Sequence, residues 1–274
     1  MGSPEIKEIN APRWDGKQPI NNKIVLLYCE GGFGDQIMFY RCVKWLKEKG
    51  AKVVVACHPD IMKLFSRSEC VGAVIPREFA TKIYVDYFIP SMSSFLNFDV
   101  NWGNIWYGPY IKFEDDPIWD NIIPTTKKKN IGLRWRGNPL FEHEQYRAFP
   151  PELMTQLSDN RNYEFFSFQK DDSRTILPNI ITDLDNYLST WENTANAIKR
   201  MDLIISSCTS VAHLAAAMKK EIWVIVPVMP YFPWAEPGNQ SSWYSSVKIF
   251  RQKEFGKWDN VFEDIKTELI KLEK

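Results

Sequence analysis

The chain has 274 residues, of which 45% are hydrophobic and 25% charged, a composition typical of globular proteins and not of disordered ones. Lys plus Arg number 34 and Asp plus Glu also number 34, so the protein lacks an overall basic field and nucleic-acid binding is disfavoured. No apolar stretch approaches the ~20 residues of a membrane span. The N-terminal residues lack a signal-peptide core and the five cysteines show no close pairing, so we expect a cytoplasmic protein without a transmembrane segment.

The N-terminal half predicts alternating strands and helices. Residues 23–29 form an apolar run typical of a buried strand, and residues 35–49 carry apolar side chains at helical spacing before Gly50 ends the pattern. A second apolar strand at 52–57 completes a βαβ unit, and continuously apolar strands favour a parallel sheet covered on both faces. Further elements are predicted as a short helix at 58–66 and strands at 72–75 and 83–89.

The C-terminal half resumes this alternation after an irregular stretch. Residues 91–129 show no regular pattern, and we place a domain junction there, between residues 1–125 and 126–274. Strands are predicted at 130–136, 163–168, 202–206, 222–226 and 247–250, with helices from Pro151 and over 190–200, 209–218 and 258–272. Two successive α/β units predict two facing Rossmann-like domains, and the last helix could pack back on the first of them.

A glycine-rich turn, Glu30-Gly-Gly-Phe-Gly-Asp35, joins the first strand to the first helix. Glycine permits positive φ and lets a ligand approach the free N–H groups of a helix start. The turn matches neither G-x-G-x-x-G nor a P-loop, which disfavours a dinucleotide-dependent oxidoreductase. Asp35 has two interpretations. It either caps the helix, or acts as a base at the edge of the sheet where open α/β folds bind ligands.

Basic residues follow two predicted strands of the C-terminal half. Arg134 ends the strand that begins this half, Arg147 lies in the loop behind it, and Lys170 follows the strand at 163–168. These cations are suited to holding an anion at the carboxyl ends of parallel strands. The alternative is that the arginines form ordinary ion pairs with Glu142 or Glu144.

Hydroxyl groups are concentrated where the strand at 202–206 runs into a helix of small residues. Thr209 and Ser210 stand at the N-terminus of that helix, and His213 lies one turn further along. A helix N-terminus offers unpaired N–H groups and the positive end of its dipole to an anion. The alternative is that Thr209 and Ser210 are caps and His213 is a hydrogen-bonded core residue.

Two segments resemble one family. Residues 30–41, EGGFGDQIMFYR, are similar to the E-Q-G-x-G-D-x-I-x-F-x-R segment of glycosyltransferases related to the lipopolysaccharide heptosyltransferases, glycosyltransferase family 9. The closest variety is often attached to tetratricopeptide repeats, which this sequence does not contain. Residues 205–218, ISSCTSVAHLAAAM, are similar to the I-S-V-D-T-S-V-A-H-L-A-G-A-L segment that holds the donor diphosphate in that group.

The resemblance implies a GT-B architecture and an inverting, metal-independent transfer from a nucleotide-diphosphate sugar to an acceptor hydroxyl. The N-terminal domain would bind the acceptor, with Asp35 as the catalytic base. The C-terminal domain would bind the donor, which is a co-substrate, so no other cofactor is expected. The implied binding residues are Glu30, Gly32 and Gly34 for the acceptor and Arg134, Arg147, Lys170, Thr209, Ser210 and His213 for the donor.

Several points stay open at the level of sequence. Cys208 stands where the family has aspartate, which favours, as an alternative, a catalytically impaired nucleotide-sugar or glycan binding module. A metal-dependent enzyme would need paired carboxylates, and the chain offers Asp115-Asp116 and Asp171-Asp172, pairs typical of solvated turns. The sequence does not identify the acceptor, which on this interpretation would be a glycan, a lipid-linked sugar, a protein or a small molecule.

Overall fold

The computed structural model describes residues 4–101, 103–170 and 178–273. The chain divides into two compact units. Unit 1 comprises Met1–Glu114 with Thr190–Glu192, and unit 2 comprises Asp115–Ser189 with Asn193–Lys274. Within the described residues, each unit contains one β-sheet, of four strands in unit 1 and seven in unit 2.

Unit 1 is a parallel sheet with short helices. Its strands are β1 (Ile24–Tyr28), β2 (Lys52–Cys57), β3 (Ala73–Pro76) and β4 (Tyr87–Pro90), in the order β3-β2-β1-β4. Its helices are α1 (Phe33–Tyr40), α2 (Cys42–Glu48), α3 (Met62–Phe65) and α4 (Ser94–Asn97). Because β1 is central and almost wholly buried, the turn that follows it opens at the middle of the sheet's carboxyl edge.

The helix predicted over 35–49 is two helices that meet at Arg41. The break coincides with the burial of the Arg41 side chain, which is 0% exposed. Its Nε donates to the carbonyl of Met38 at 2.9 Å, and its Nη1 donates to the carbonyl of Trp106 at 3.0 Å. The guanidinium therefore ties the helix break to the loop after α4, a role that a buried charge can fill only when it is fully hydrogen-bonded.

Unit 2 is built on a larger sheet in the order β10-β11-β9-β8-β5-β6-β7. Its strands are β5 (Lys129–Arg134), β6 (Tyr163–Ser167), β7 (Ile181–Asp183), β8 (Leu203–Ser207), β9 (Ile222–Val226), β10 (Gln240–Ser241) and β11 (Tyr244–Arg251). The remaining helices are α5 (Trp119–Ile122), α6 (Glu144–Arg147), α7 (Pro151–Thr155), α8 (Trp191–Lys199), α9 (Ser210–Ala217) and α10 (Asp259–Lys271). Short 3-10 helices cover Pro4–Glu8, Pro59–Ile61, Arg77–Phe79, Ser91–Ser93, Gln156–Asp159, Asp185–Tyr187 and Phe232–Trp234.

The core of unit 2 explains why its last helix forms where it does. The buried residues of α10 are Val261, Phe262, Ile265 and Leu269, which recur at helical spacing along one face. They share one apolar cluster with strand residues such as Trp223. The helix predicted over 258–272 is therefore α10, and it packs on the sheet of unit 2.

The α/β prediction with parallel sheets is confirmed, and two strands went unpredicted. β7 has three residues, of which only Ile181 is buried, so its sequence carries no apolar run. β10 has two residues and pairs antiparallel with β11, whereas the other strand pairs in the described part of the chain are parallel. Edge strands this short hold their place through backbone pairing, which leaves little signal in the sequence.

Glu192, at the start of α8, is held in unit 1 by two cations. Its carboxylate is 2.5 Å from Lys63 Nζ and 2.8 Å from Arg67 Nε, and its side chain is 8% exposed. Burial raises the pKa of Glu192, but hydrogen bonds from Lys63 and Arg67 outweigh that effect and hold the pKa below its usual value. The ionised carboxylate therefore stabilises unit 1.

We expect Glu192→Gln to lower the free energy of unfolding by about 1–3 kcal/mol at pH 7, because the neutral amide loses the attraction to both cations and its one oxygen can accept from only one of them. A carboxyl with a depressed folded pKa contributes stability above its unfolded pKa of about 4.3 and loses it as pH falls through the folded pKa. Urea unfolding of both proteins at pH 7 and pH 3 should show the difference shrink in acid. Glu114→Gln is the control, since that side chain is 71% exposed; equal losses from both changes would contradict the role of Glu192.

Candidate functional site

The glycine turn of unit 1 is closed by the carboxylate of Asp35. Gly32 is the N-cap of α1, and its backbone N–H donates to Asp35 Oδ2 at 3.0 Å. Gly31 has φ +68°, and a Cβ at that position would collide with the same carboxylate oxygen. Asp35 thus stands three residues beyond the N-cap, not at it, and the turn requires a glycine at 31 so that this carboxylate can fold back.

The capping interpretation of Asp35 therefore holds in one form: its carboxylate accepts the backbone N–H of Gly32, the N-cap residue of α1. A carboxylate that accepts a backbone N–H is favoured in its charged form, and this competes with the affinity for a proton that a base needs. Glu30 and Gly34 lie in the same turn, so the residues predicted for the acceptor are brought together with Asp35. Their role in binding or catalysis stays a prediction.

The ends of β3 and β4 contribute further groups to this edge of unit 1. The backbone N–H of Glu30 donates to Ser91 Oγ at 3.0 Å, and its Oε2 accepts from the N–H of Met92 at 3.0 Å. Arg77 Nη2 donates to the carbonyl of Gly31 at 2.8 Å. The turn after β1 is thus fixed from both sides, by the ends of β4 and β3.

Aromatic rings also meet at this edge. The ring of Phe33 lies 4.8 Å from that of His58, which follows β2, and 5.0 Å from that of Trp191. Phe33 and Trp191 are half-buried and His58 is exposed. Phe33 of the glycine turn therefore belongs to an aromatic cluster with His58 and Trp191, which its position in the sequence did not indicate.

The second predicted site lies where β8 runs into α9. Thr209 is the N-cap of α9 with extended backbone angles, and its side chain makes no capping hydrogen bond. Thr209 therefore occupies the N-cap position that the alternative predicted, but it does not cap the helix through its side chain. Its Oγ1 lies 3.3 Å from Ser206 Oγ, and Ser210 is the first residue of the helix. Hydroxyls and the N–H groups of the first turn are thus concentrated at one helix start, the arrangement that binds anions in other proteins.

His213 lies one turn along α9 in a buried aromatic cluster. Its side chain is 4% exposed, and its Nδ1 is hydrogen-bonded with the hydroxyl of Tyr244 at 2.9 Å. The ring of Trp234 lies 5.0 Å from it. This is the arrangement of a hydrogen-bonded core histidine, with a hydroxyl partner on β11 that fixes the orientation of the ring.

Arg147 joins α6 to the β8–α9 connection. Its Nη1 donates to the carbonyl of Cys208 at 2.8 Å, and its Nε donates to Glu144 Oε2 at 2.6 Å. Glu144 is 3% exposed, and its Oε1 accepts the N–H of Gly137 at 2.6 Å. The ion pair expected as an alternative is thus present, but it is buried and it directs the guanidinium toward the residue that precedes Thr209.

Gly137 is required by this pair. A Cβ at residue 137 would collide with Arg147 Nη2, so only glycine lets the guanidinium lie against the turn after β5. The ring of Phe141 covers the guanidinium carbon of Arg147 at 4.8 Å, which adds a cation–π contact. Glu144 was expected only as an ordinary ion-pair partner, and Gly137 was missed, because nothing in the sequence shows that one carboxylate joins the turn after β5 to Arg147.

Cys208 does not replace the charge of the family aspartate. Burial raises the pKa of its thiol, an effect that the nearby Arg147 partly opposes, so the thiol is neutral at pH 7. The carboxylate nearest to Arg147 is instead that of Glu144. The negative charge in this region comes from α6 and not from the end of β8.

Arg134 and Lys170 lie near the ends of β5 and β6. Arg134 Nη1 donates to the carbonyl of Phe168, and Lys170 Nζ donates to the carbonyl of Leu188 at 2.6 Å. β5 is flanked by β6 and β8 in a parallel sheet, with Arg134 paired opposite Ser206. The predicted donor residues therefore share one carboxyl edge of the unit 2 sheet, apart from His213, which is turned into the core.

The two acidic pairs considered as metal ligands do not form a metal site among the residues that the structure describes. Asp115 pairs with Lys199 and Arg200, which lowers the pKa of its carboxyl through hydrogen bonds. Asp171-Asp172 lies outside the described residues. Among the residues that are described, no group of three or more His, Cys, Asp or Glu has metal-ligand geometry, and no helix is long and apolar enough to cross a membrane.

The fold is shared with known glycosyltransferases. No protein-family model and no curated protein matches the sequence. The structure is similar to the glycosyl transferase family 9 protein of Veillonella parvula DSM 2008, with a TM-score of 0.64, 10% identity and coverage of 86% of this chain and 88% of that one. It is similar to E. coli ADP-heptose LPS heptosyltransferase II, with a TM-score of 0.65, 12% identity and coverage of 92% and 100%. It is also similar to E. coli heptosyltransferase WaaC with ADP-2-deoxy-2-fluoro heptose, with a TM-score of 0.59, 13% identity and coverage of 90% and 99%.

These likenesses define the class of fold. The chain has the α/β fold of the GT-B heptosyltransferases, over most of its length and most of theirs. The predicted fold class and the resemblance to glycosyltransferase family 9 are confirmed at this level. The identities are too low to carry individual residue roles from those proteins to this one.

We expect Glu144→Gln to lower the free energy of unfolding by about 1–3 kcal/mol, because the amide presents a donor to either Gly137 N–H or Arg147. Urea unfolding of the variant and the parent protein measures the effect. Glu142→Gln is the matched control, since that side chain is 80% exposed and the change should stay within about 0.5 kcal/mol. Indistinguishable variants would contradict the assigned role of Glu144.

Proposed function

We propose that the protein is an inverting, metal-independent glycosyltransferase that moves a sugar from a nucleotide-diphosphate donor to an acceptor hydroxyl. The observation that carries the proposal is the start of α9, where Thr209, Ser210 and the Arg147 guanidinium meet at the carboxyl edge of the sheet. Fold similarity to proteins described as ADP-heptose transferases makes an ADP-sugar the first donor to test. The five cysteines are all free, which suits a cytoplasmic enzyme.

The donor would be activated through its leaving group. As the bond to the anomeric carbon breaks, negative charge accumulates on the nucleoside diphosphate, and donors fixed in advance stabilise it. Arg147 supplies a guanidinium oriented by Glu144, and the N-terminus of α9 supplies backbone N–H groups. Lys170, which is exposed, adds a cation after β6. These groups would allow departure without a metal ion.

The acceptor would be activated in unit 1. Asp35 is the residue we assign as the base that takes the proton of the attacking hydroxyl. Its carboxylate lies at the carboxyl edge of a parallel sheet, next to the backbone of Gly31 and Gly32, which acceptor oxygens can approach closely. Glu30 and Gly34 complete the proposed acceptor turn.

The alternative function is a nucleotide-sugar or glycan binding module without turnover. Cys208 favours it, because its neutral thiol cannot provide the charge of an aspartate. Glu144 argues against it, because a carboxylate beside Arg147 is retained on a different element. A transferase and a nucleotide-sugar binding module both predict donor binding, so turnover separates those two, whereas a glycan-binding module predicts no donor binding.

A panel of ADP-, UDP- and GDP-sugars tests the proposal. A bound donor at 100 times its Kd should raise stability by ~2.7 kcal/mol in a thermal-shift measurement. Release of the nucleoside diphosphate should accompany transfer or slow hydrolysis and should persist in EDTA. Donor binding without any release would favour the binding module. Activity lost in EDTA and restored by a divalent cation would overturn metal independence, and absence of binding by every donor would overturn the function.

Asp35→Asn should lower turnover by ~10²–10⁴-fold while leaving donor affinity nearly unchanged, because the amide cannot accept the proton. The amide oxygen can still accept the N–H of Gly32, so the thermal midpoint should stay close to that of the parent protein. Initial rates of nucleotide release and calorimetric donor affinity measure the two quantities. Asp60→Asn is the control, a nearby exposed carboxylate outside the turn. A large fall in stability with an unchanged rate per folded molecule would make Asp35 a cap only.

A further inference from the structure

A groove of about 580 Å³ lies in unit 2 beside α6 and the end of β11. Gln145 and Tyr146 of α6 line one wall, and Gln252, Phe255 and Trp258 come from the chain that follows β11. The other lining residues are alanine, proline and glycine. The neighbouring residues of the same helix, Glu144 and Arg147, contact Gly137 and Cys208. One short helix thus borders both the proposed diphosphate site and this groove.

The lining is uncharged and combines aromatic rings with amides. Tyr146 is 52% exposed and Phe255 is 57% exposed, so two large rings are accessible at the groove. Gln145, the residue before Tyr146, is also exposed and offers both a carbonyl and an NH₂ group. Aromatic faces pack against the apolar face of a sugar ring, and amides hydrogen-bond its hydroxyls. A phosphate or an acidic peptide would instead call for Arg or Lys, which the lining does not contain.

The buried amide of Gln252 is a second observation, independent of the aromatic lining, that points to a ligand. Its side chain is 2% exposed, and its Oε1 accepts the N–H of Val228 at 3.3 Å, which fixes the orientation of the amide. Its Nε2 is buried and has no hydrogen-bond partner among the described residues. Buried polar groups in native proteins are almost always paired. Because Gln252 also lines the groove, a ligand hydroxyl there would supply the missing acceptor after a small shift of the side chain.

We propose that this groove binds a neutral sugar unit of a glycan, separately from the nucleotide-sugar donor. A nucleoside is the chemical competitor, since bases also stack on aromatic rings, but nucleoside sites commonly add a carboxylate for the ribose hydroxyls and this lining holds none. Whether this glycan is the acceptor or the product of a transfer reaction rests on the proposed function. Binding of the glycan does not depend on that function, because it can be measured without turnover.

The test uses the full-length protein without donor. Maltotriose, cellotriose, chitotriose and mannotriose are the probes, with adenosine and glucose 6-phosphate as competitors, and saturation-transfer NMR and calorimetry report binding. At least one neutral trisaccharide should bind. Phe255→Ala and Tyr146→Ala should each weaken that trisaccharide by about 2- to 10-fold, the range for loss of one aromatic contact. Tyr84→Ala is the control, because Tyr84 is 78% exposed and belongs to unit 1.

Each result of this experiment either supports or overturns sugar binding in the groove. Binding of a neutral trisaccharide that Phe255→Ala weakens and Tyr84→Ala leaves intact supports the groove, even if no nucleotide sugar binds and the transferase proposal fails. Absence of binding by all four trisaccharides overturns it, also when donor binding and turnover are present. Trisaccharide binding that neither groove variant alters overturns the assigned location. Displacement of the trisaccharide by adenosine would make the groove a nucleoside site.

Discussion

Parallel strands that are buried on both faces determine where polar functional groups can reach a ligand in this protein. Their side chains are occupied by packing, so polar groups can collect only where strands end and helices begin. In unit 1 that point is the turn between β1 and α1, closed by Asp35 and Gly32. In unit 2 it is the β8–α9 connection, reached by Arg147. The two proposed sites, one in each unit, are therefore products of the same topological constraint.

Much of this was accessible from the sequence, because the signals are local. The apolar runs at β1, β2, β8 and β9 predicted buried parallel strands, and the spacing along α10 predicted its inward face. The glycine turn and the hydroxyl-rich helix start were visible as motifs. Their exact boundaries moved by one or two residues, as expected where helix ends depend on backbone groups and not on side-chain pattern.

The features that were not predicted depend on contacts that the local sequence pattern does not show. Nothing near Glu144 shows that its carboxylate will bridge the turn at Gly137 and the guanidinium that reaches Cys208. The break at Arg41 likewise coincides with a hydrogen bond from its guanidinium to a carbonyl of the loop after α4. β7 and β10 are held by pairing with a neighbour, so their few residues carry no periodicity of their own.

The absence of a side chain at residue 137 has an evolutionary corollary. Any larger residue there would have to displace the Arg147 guanidinium, and a displaced guanidinium would leave the carbonyl of Cys208 and the Glu144 carboxylate without their shared partner. We therefore expect coupled substitution at these positions: relatives should keep or lose the glycine and the arginine as a pair, and the acidic residue three positions before the arginine should follow them.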